Sequence, residues 1–162
     1  MSTPAQQLSE FVHRLRFSDI PEEARAAAIR CLVDTLGIAL ASQSMPFARM
    51  VTALVTEWGG SQESTVVASR ARVPAPNAII ANGNMAHHVD FDNTHGEGLA
   101  HIGAGVVPTA LAVAEKVGAG GEALMAALVA GIEAQARIAS AASTKFHARG
   151  FHPTFVSGCF AT

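Results

Sequence analysis

The chain has 162 residues, within the usual size of a single domain, and a formal net charge of −2. A charge this small gives no electrostatic reason to expect nucleic acid or an anionic membrane as a partner, and we expect neither. Apolar residues make up 49% of the sequence and charged residues 15%, which excludes a disordered chain. Because alanine is abundant and aromatic residues are scarce, we predict an all-α, bundle-like domain of closely packed helices.

Hydrophobic spacing predicts three helices in the first third of the chain. The first covers about residues 8–15. The second begins near residue 21, with Ser18 or Asp19 as its cap, and runs to about residue 41. The third starts at Pro46 and ends near Trp58, before two glycines. The predicted apolar side of the second helix comprises Ile29, Leu32, Val33, Leu36 and Leu40.

The middle and the end of the chain contain one weak strand signal and three more helical segments. We expect at most one short strand or hairpin, near 64–73. Helices are predicted over about 76–89, 106–117 and 122–143. The last of these is apolar almost all round, so we expect it to be buried on most sides. Its longest apolar stretch, 123–132, is too short to span a bilayer.

The cysteines and the N-terminus indicate the compartment. Cys31 and Cys159 lie far apart and belong to no CxxC or metal-ligand spacing, which is typical of reduced thiols. The N-terminal residues are polar and lack the basic and then apolar layout of a signal peptide. We therefore expect a cytoplasmic protein.

Residues 90–104 have no sustained period and are predicted to form a loop between two apolar helices. With the end of the preceding helix, this segment contains the densest set of ionisable groups in the chain, namely His87, His88, Asp90, Asp92, His95, Glu97 and His101. Such groups among apolar helices take shifted pKa values, as proton-transfer sites require. The segment is therefore a candidate functional site.

Three interpretations of this cluster are open. His87, Asp90, His95 and His101 are acceptable metal ligands, which would fit a metal-dependent hydrolase, although no zinc signature such as HExxH is present. In a metal-free alternative, His101 exchanges a proton near neutral pH, Asp90 orients an imidazole, and Thr94 hydrogen-bonds a carboxylate.

The third interpretation is structural. Asp90 or Asp92 would cap a helix end, and His87 would satisfy main-chain carbonyl groups. We favour this interpretation for His87 and His88 taken alone, and a functional one for the cluster as a whole. A second loop, 149–154, places Arg149 and His152 beside a glycine, as in an anion-binding corner.

Five motifs in matching order resemble the MmgE/PrpD family, which includes 2-methylcitrate dehydratase, cis-aconitate decarboxylase and iminodisuccinate epimerase. The motifs are Asn82–His87, Asp90–His95, His101–Pro108, Gly131–Ile138 and Arg149–Thr154. The resemblance implies an all-helical main domain, a homodimer, and acid–base chemistry on small polycarboxylates without a cofactor or a metal.

The resemblance also implies residue roles. By motif position, the catalytic residues are Asp90, Thr94, His101 and His152, and the substrate-binding candidates are Arg149 and His95. This chain departs from the family pattern at two positions: Asn93 replaces an acid, and Ile102 replaces a frequent proline.

The resemblance covers the N-terminal part of a family member. We therefore expect residues 1–162 to form a single, incomplete helical domain without the family's α/β lid domain, completed by a homodimer partner or by a complementing C-terminal chain. The predicted function is that of a lyase on di- or tricarboxylates, with 2-methylcitrate-type dehydration favoured. The alternatives are a catalytically incomplete fragment that dimerises or binds a partner, and the metal-dependent hydrolase.

Overall fold

A computed structural model describes residues 2–69 and 71–162, and within these ranges the chain forms eight α-helices and two short antiparallel hairpins. The helices are α1 (Pro4–Arg14), α2 (Glu22–Ser42), α3 (Pro46–Trp58), α4 (Ala75–His87), α5 (Gly103–Val117), α6 (Gly121–Ala142), α7 (Thr144–Ala148) and α8 (Pro153–Gly158). The hairpins pair β1 (Ser64–Thr65) with β2 (Arg72–Val73), and β3 (Thr94–His95) with β4 (Ala100–His101). The predicted all-α class and the hairpin near 64–73 are confirmed. The second hairpin lies in the segment predicted to be a loop.

The first two helices begin differently from each other. At α1, the Thr3 hydroxyl accepts from the main-chain N–H of Gln6 at 3.2 Å, and the Gln6 side chain accepts from the Thr3 N–H at 2.8 Å. This reciprocal pair is a capping box. At α2, the capping residue is Pro21, and no side chain caps the helix. The prediction that Ser18 or Asp19 caps α2 is wrong, because Asp19 instead accepts from the Arg16 N–H and closes a short 3-10 turn.

Helix α4 lies at the centre of the fold and packs against α2, α3 and α5. Its buried positions are mostly alanine, which lets neighbouring helices approach closely. A Cβ atom added at Gly83 of α4 would lie 3.2 Å from the main-chain oxygen of Ala104 in α5. One core cluster joins α3, the first hairpin and α4. A second cluster joins α2, α5 and α6 around Val107 and Leu128. The composition therefore produces a tightly packed helical core.

Several apolar helix faces are exposed. On α2, the side chains of Ile29, Val33 and Leu40 face solvent, and Val33 is 64% exposed. The predicted apolar side of α2 is therefore largely uncovered here, because α2 packs through its small residues. On α3, Met50 and Trp58 are likewise exposed.

Helix α6 is long and apolar enough, by length and composition, to cross a membrane. Core helices of ordinary domains meet the same criterion, and α6 packs against α5, α8, α2 and α1. Only 33% of the residues in its most apolar 18-residue stretch are buried, so the prediction that α6 is buried on most sides is wrong for this chain.

The second hairpin is attached to α6 through its tip. Gly98 packs so closely that an added Cβ atom would lie 2.6 Å from the Cβ atom of Ala139. The Ser143 hydroxyl donates to the main-chain oxygen of Glu97 at 2.9 Å. These contacts hold β3 and β4, and the side chains they carry, in place between α4 and α6.

Candidate active site

Three chain segments meet at the candidate site: the end of α4 with the following loop, the second hairpin, and the start of α8. The hairpin register places Thr94 directly opposite His101. The hydroxyl of Thr94 lies 3.4 Å from Nδ1 of His101. The structure thus brings together two of the residues that the sequence identified as catalytic.

A buried carboxylate lies at the base of the site. The Asp92 side chain is fully buried, and its Oδ1 atom lies 3.0 Å from Nδ1 of His87 and 3.3 Å from Nδ1 of His101. The two imidazole rings meet edge to face with centroids 5.0 Å apart. Because a buried carboxylate without hydrogen-bonding partners is costly, the two imidazoles supply the partners that this position requires.

Asp90 lies at the open rim of the site. Its side chain is 82% exposed, and Oδ1 is 3.6 Å from Nε2 of His101. The backbone of Asp90 is left-handed, with φ of 53°, a conformation that Asp and Asn adopt more readily than most residues. The His101 ring is therefore flanked by a buried carboxylate on its Nδ1 side and an exposed one on its Nε2 side.

His152 completes a cluster of aromatic rings above the carboxylates. Its ring centroid lies 6.3 Å from that of His87 and 4.9 Å from that of Phe155. Partial desolvation, then repulsion from His87, His101 and His147, lowers the pKa of His152, while Asp90 acts in the opposite direction. His152 is therefore neutral at neutral pH and available as a base.

The start of α8 is tied to the hairpin by hydrogen bonds. The Thr154 hydroxyl accepts from the main-chain N–H of His101 at 2.9 Å. The side-chain amide of the buried Gln135, on α6, donates to the main-chain oxygen of Thr154 at 3.2 Å. These bonds fix His152 and Phe155, which lie on either side of Thr154, relative to His101.

Two predicted substrate-binding residues lie outside this cluster. Nδ1 of His95 accepts from the main-chain N–H of Gly98 at 3.0 Å and so stabilises the turn of the hairpin. Arg149 is exposed, and its side chain makes no hydrogen bond or ion pair with residues 2–69 or 71–162. His88 is also directed elsewhere, since its ring stacks on Phe47 at 4.8 Å. The structure thus gathers Asp90, Thr94, His101 and His152 but not His95.

Asn93, which replaces an acid of the family pattern, faces away from the cluster. Its amide nitrogen lies 3.3 Å from Oδ2 of Asp34 on α2, and its Oδ1 accepts from the main-chain N–H of Gly103 at 3.1 Å. The amide donates and accepts at once, which a carboxylate cannot do. Asn93 therefore links α2 to the start of α5 and leaves the carboxylates of the site unchanged.

Sequence reasoning assigned no acid–base role to Asp92, His87 or Phe155. It weighed Asp92 as a helix cap, and His87 as a metal ligand or as a partner of main-chain carbonyls. A usable signal was present, because successive residues in an extended segment lie on opposite faces. That pattern separates Asp92, on the buried face, from its exposed neighbour Phe91. No local pattern pointed to Phe155, which reaches the site only through the packing of α8.

The fold and the site define a helical domain that carries a cluster of histidines and carboxylates. The model of the MmgE/PrpD N-terminal domain matches residues 6–162, and the chain belongs to this family. It is also similar to the cis-aconitate decarboxylase-like protein oryM of Aspergillus oryzae, with 26% identity over 160 residues, which cover 94% of this chain and 33% of that protein. The chain thus spans about a third of the length of this relative. Family membership confirms the resemblance identified from the five motifs.

Proposed function

We propose that this chain is the helical part of a lyase that acts on small di- or tricarboxylates by acid–base chemistry without a cofactor. The observation that carries the proposal is the position of His101, with Asp92 3.3 Å from Nδ1 and Asp90 3.6 Å from Nε2. Family membership supports it, because the family includes dehydratases and decarboxylases. An imidazole between two carboxylates is suited to accept and return a proton near neutral pH.

In the proposed reaction, Nε2 of His101 removes a proton from the carbon next to a substrate carboxylate. The electron pair of that C–H bond forms the new double bond, and the C–O bond to the hydroxyl on the neighbouring carbon breaks. The hydroxyl leaves as water with the proton that His101 has taken up, relayed through Asp90 or the neutral His152. The Thr94 hydroxyl, on the neighbouring strand, hydrogen-bonds the substrate carboxylate, where negative charge develops. This is 2-methylcitrate-type dehydration. In decarboxylation, which the name of the oryM relative indicates for that protein, carbon dioxide leaves and the same groups protonate the carbon.

Binding a polycarboxylate requires positive charge. Arg149 is exposed on the loop that leads to His152, and its guanidinium is suited to pair bidentately with a carboxylate. We assign Arg149 to substrate binding. His95 would contact a substrate at the rim of the hairpin through Nε2 alone, because its Nδ1 accepts from the N–H of Gly98.

Turnover tests the proposal. Because the chain spans a third of its relative, activity is measured on the chain alone and on the chain co-expressed with the C-terminal part of a family member. The substrates are 2-methylcitrate, for water loss, and cis-aconitate, for carbon dioxide release. We expect His101→Gln to reduce kcat by about 10²–10⁴-fold. His13→Gln, a matched change on the exposed surface of α1, is the control and should retain wild-type turnover. Wild-type turnover in His101→Gln would refute the proposal.

The ligand geometry favours one second candidate, a metal-dependent hydrolase. His87, Asp90, Asp92 and His101 each offer one ligand atom, and these atoms lie within 4.8 Å of one another. The set differs from the one expected from sequence, since Asp92 takes the place of His95. Metal analysis of the purified protein decides between the two functions. A stoichiometric transition metal that is needed for hydrolytic activity would favour this candidate.

The exposed apolar faces of α2 and α3 favour a partner in either case. We propose a homodimer or a complementing C-terminal chain that covers Ile29, Val33, Met50 and Trp58. Sedimentation of the chain alone and with the C-terminal part of a family member tests this. A stable monomer in both samples would refute it. A complex without turnover would favour the catalytically incomplete, partner-binding module.

A further inference from the structure

The buried carboxylate of Asp92 faces two imidazole nitrogens at once. Its Oδ1 atom lies 3.0 Å from Nδ1 of His87 and 3.3 Å from Nδ1 of His101. Oδ2 also lies 3.1 Å from Nδ1 of His87. An ionised carboxylate only accepts hydrogen bonds. An unprotonated Nδ1 in either ring would therefore place its lone pair against that of a fully buried carboxylate oxygen, which is costly.

Two further acceptors surround Nδ1 of His101. The main-chain oxygen of Asp92 lies 3.3 Å away and the Thr94 hydroxyl 3.4 Å away. A carbonyl oxygen only accepts, and the Thr94 hydroxyl is placed to donate its own hydrogen to that same carbonyl oxygen at 3.4 Å. All three oxygens around this nitrogen therefore favour a hydrogen on Nδ1.

We propose that Asp92 is a positioning residue that holds both His87 and His101 in the Nδ1–H tautomer. A neutral imidazole carries one hydrogen, so each Nε2 atom is then an unprotonated base. The site thus contains two bases that share one carboxylate, rather than one base with a structural neighbour. This assignment deepens the proposed acid–base function, but the tautomers themselves do not depend on which reaction takes place.

The shared carboxylate has a chemical consequence. When Nε2 of His101 accepts a proton, the ring becomes an imidazolium that Asp92 stabilises from the Nδ1 side, as the aspartate does in a serine-protease triad. Nε2 of His101 faces the exposed Asp90, so the base is directed towards the open rim. His87 is the second base, and its ring centroid lies 5.0 Å from that of His101.

The test reads the tautomers directly, in the chain labelled with 15N at histidine. Two-bond 1H–15N spectra at about pH 8.5, two units above the ordinary histidine pKa, distinguish a protonated from an unprotonated ring nitrogen. Signals are assigned by replacing each histidine in turn with glutamine. We expect His87 and His101 to carry their hydrogen on Nδ1. In Asp92→Asn, at least one of the two rings should change to the Nε2–H form, because an amide offers one acceptor atom and one donor atom where the carboxylate offers two acceptors.

Asp34→Asn is the matched control, since Asp34 is an exposed carboxylate on α2 that contacts Asn93 and not the imidazoles. It should leave both tautomers unchanged. An Nε2–H tautomer of either ring in the wild-type chain would overturn the proposal, as would unchanged tautomers in Asp92→Asn. If Asp92→Asn does not fold, the wild-type spectrum still shows whether both rings carry their hydrogen on Nδ1. The spectra are recorded without substrate, so an absence of turnover would refute the proposed lyase function and not the tautomer assignment.

Discussion

The contact between Gly98 and α6 makes the position of the second hairpin experimentally accessible. In Gly98→Ala, the new Cβ atom would lie 2.6 Å from the Cβ atom of Ala139 and 3.0 Å from Nδ1 of His95. Ordinary contacts begin at 3.4 Å, so the hairpin must move away from α6 by nearly 1 Å. Overpacking of this kind costs about 1–3 kcal/mol of unfolding free energy. For a domain of this size, that lowers Tm on the order of 5 °C.

In the proposed lyase, the same displacement would act on turnover through His101, which follows the tip on β4. A shift of about 1 Å in a catalytic group lowers turnover on the order of 10²-fold. Gly96→Ala is the matched control in the same turn, because its Cβ atom would meet nothing within 4 Å. We therefore expect Gly98→Ala to lower both Tm and kcat, and Gly96→Ala to change Tm by much less.

Thermal unfolding followed by circular dichroism measures the Tm of both variants. A double-mutant cycle then isolates the contact between positions 98 and 139. Ala139→Gly alone should cost about 1 kcal/mol, because glycine is unfavourable inside a helix. Combined with Gly98→Ala, it removes the clashing methyl group, so the double variant should be more stable than the sum of the single effects by about 1 kcal/mol. Equal stability of Gly98→Ala and Gly96→Ala, or strict additivity in the cycle, would refute the packing of the hairpin tip on α6.

Three further predictions concern the core, the site and a helix end. Leu128→Ala, at a fully buried position where α6 meets α5, should lower the free energy of unfolding by about 2–5 kcal/mol in urea denaturation, and a loss below 1 kcal/mol would contradict the assigned core. His87→Gln should raise the pKa of His152 towards its ordinary value in an NMR titration, because repulsion from His87 is a cause of the lowered pKa. An unchanged pKa of His152 would show that His87 does not act on it. The lowered pKa of His152 means that protonation is less favourable in the folded than in the unfolded chain. The contribution of His152 to the free energy of unfolding is therefore fully present above the ordinary histidine pKa and is lost as pH falls below it. Gly118→Ala should destabilise the chain by about 1 kcal/mol, because Gly118 ends α5 with φ of 65°. Gly121→Ala, in the first turn of α6, should not, because an added Cβ atom there meets nothing within 4 Å; equal melting temperatures would contradict this.

The helices were largely predictable from local sequence because their signals are local. Pro46 begins α3 and Gly118 ends α5 in the left-handed conformation, as their backbone preferences dictate. The second hairpin was not predictable, because its two-residue strands lack a repeating pattern, and its position depends on contacts of Gly98 and Glu97 with α6. The cap of α2 was misassigned for a local reason, since the carboxylate of Asp19 accepts from the N–H of Arg16 in the preceding turn.

For the site, the sequence by itself determined the family and the residue types. The order of the motifs identified Asp90, Thr94, His101 and His152, and the structure places these four in one cluster. Only the tertiary structure decided which groups work together. It turned His95 and Asn93 towards structural contacts, and it placed the buried Asp92 between His87 and His101. The physical reason is that residue type and order are properties of the chain. Burial and the sharing of one carboxylate by two imidazoles exist only when α4, the hairpin and α8 are packed together.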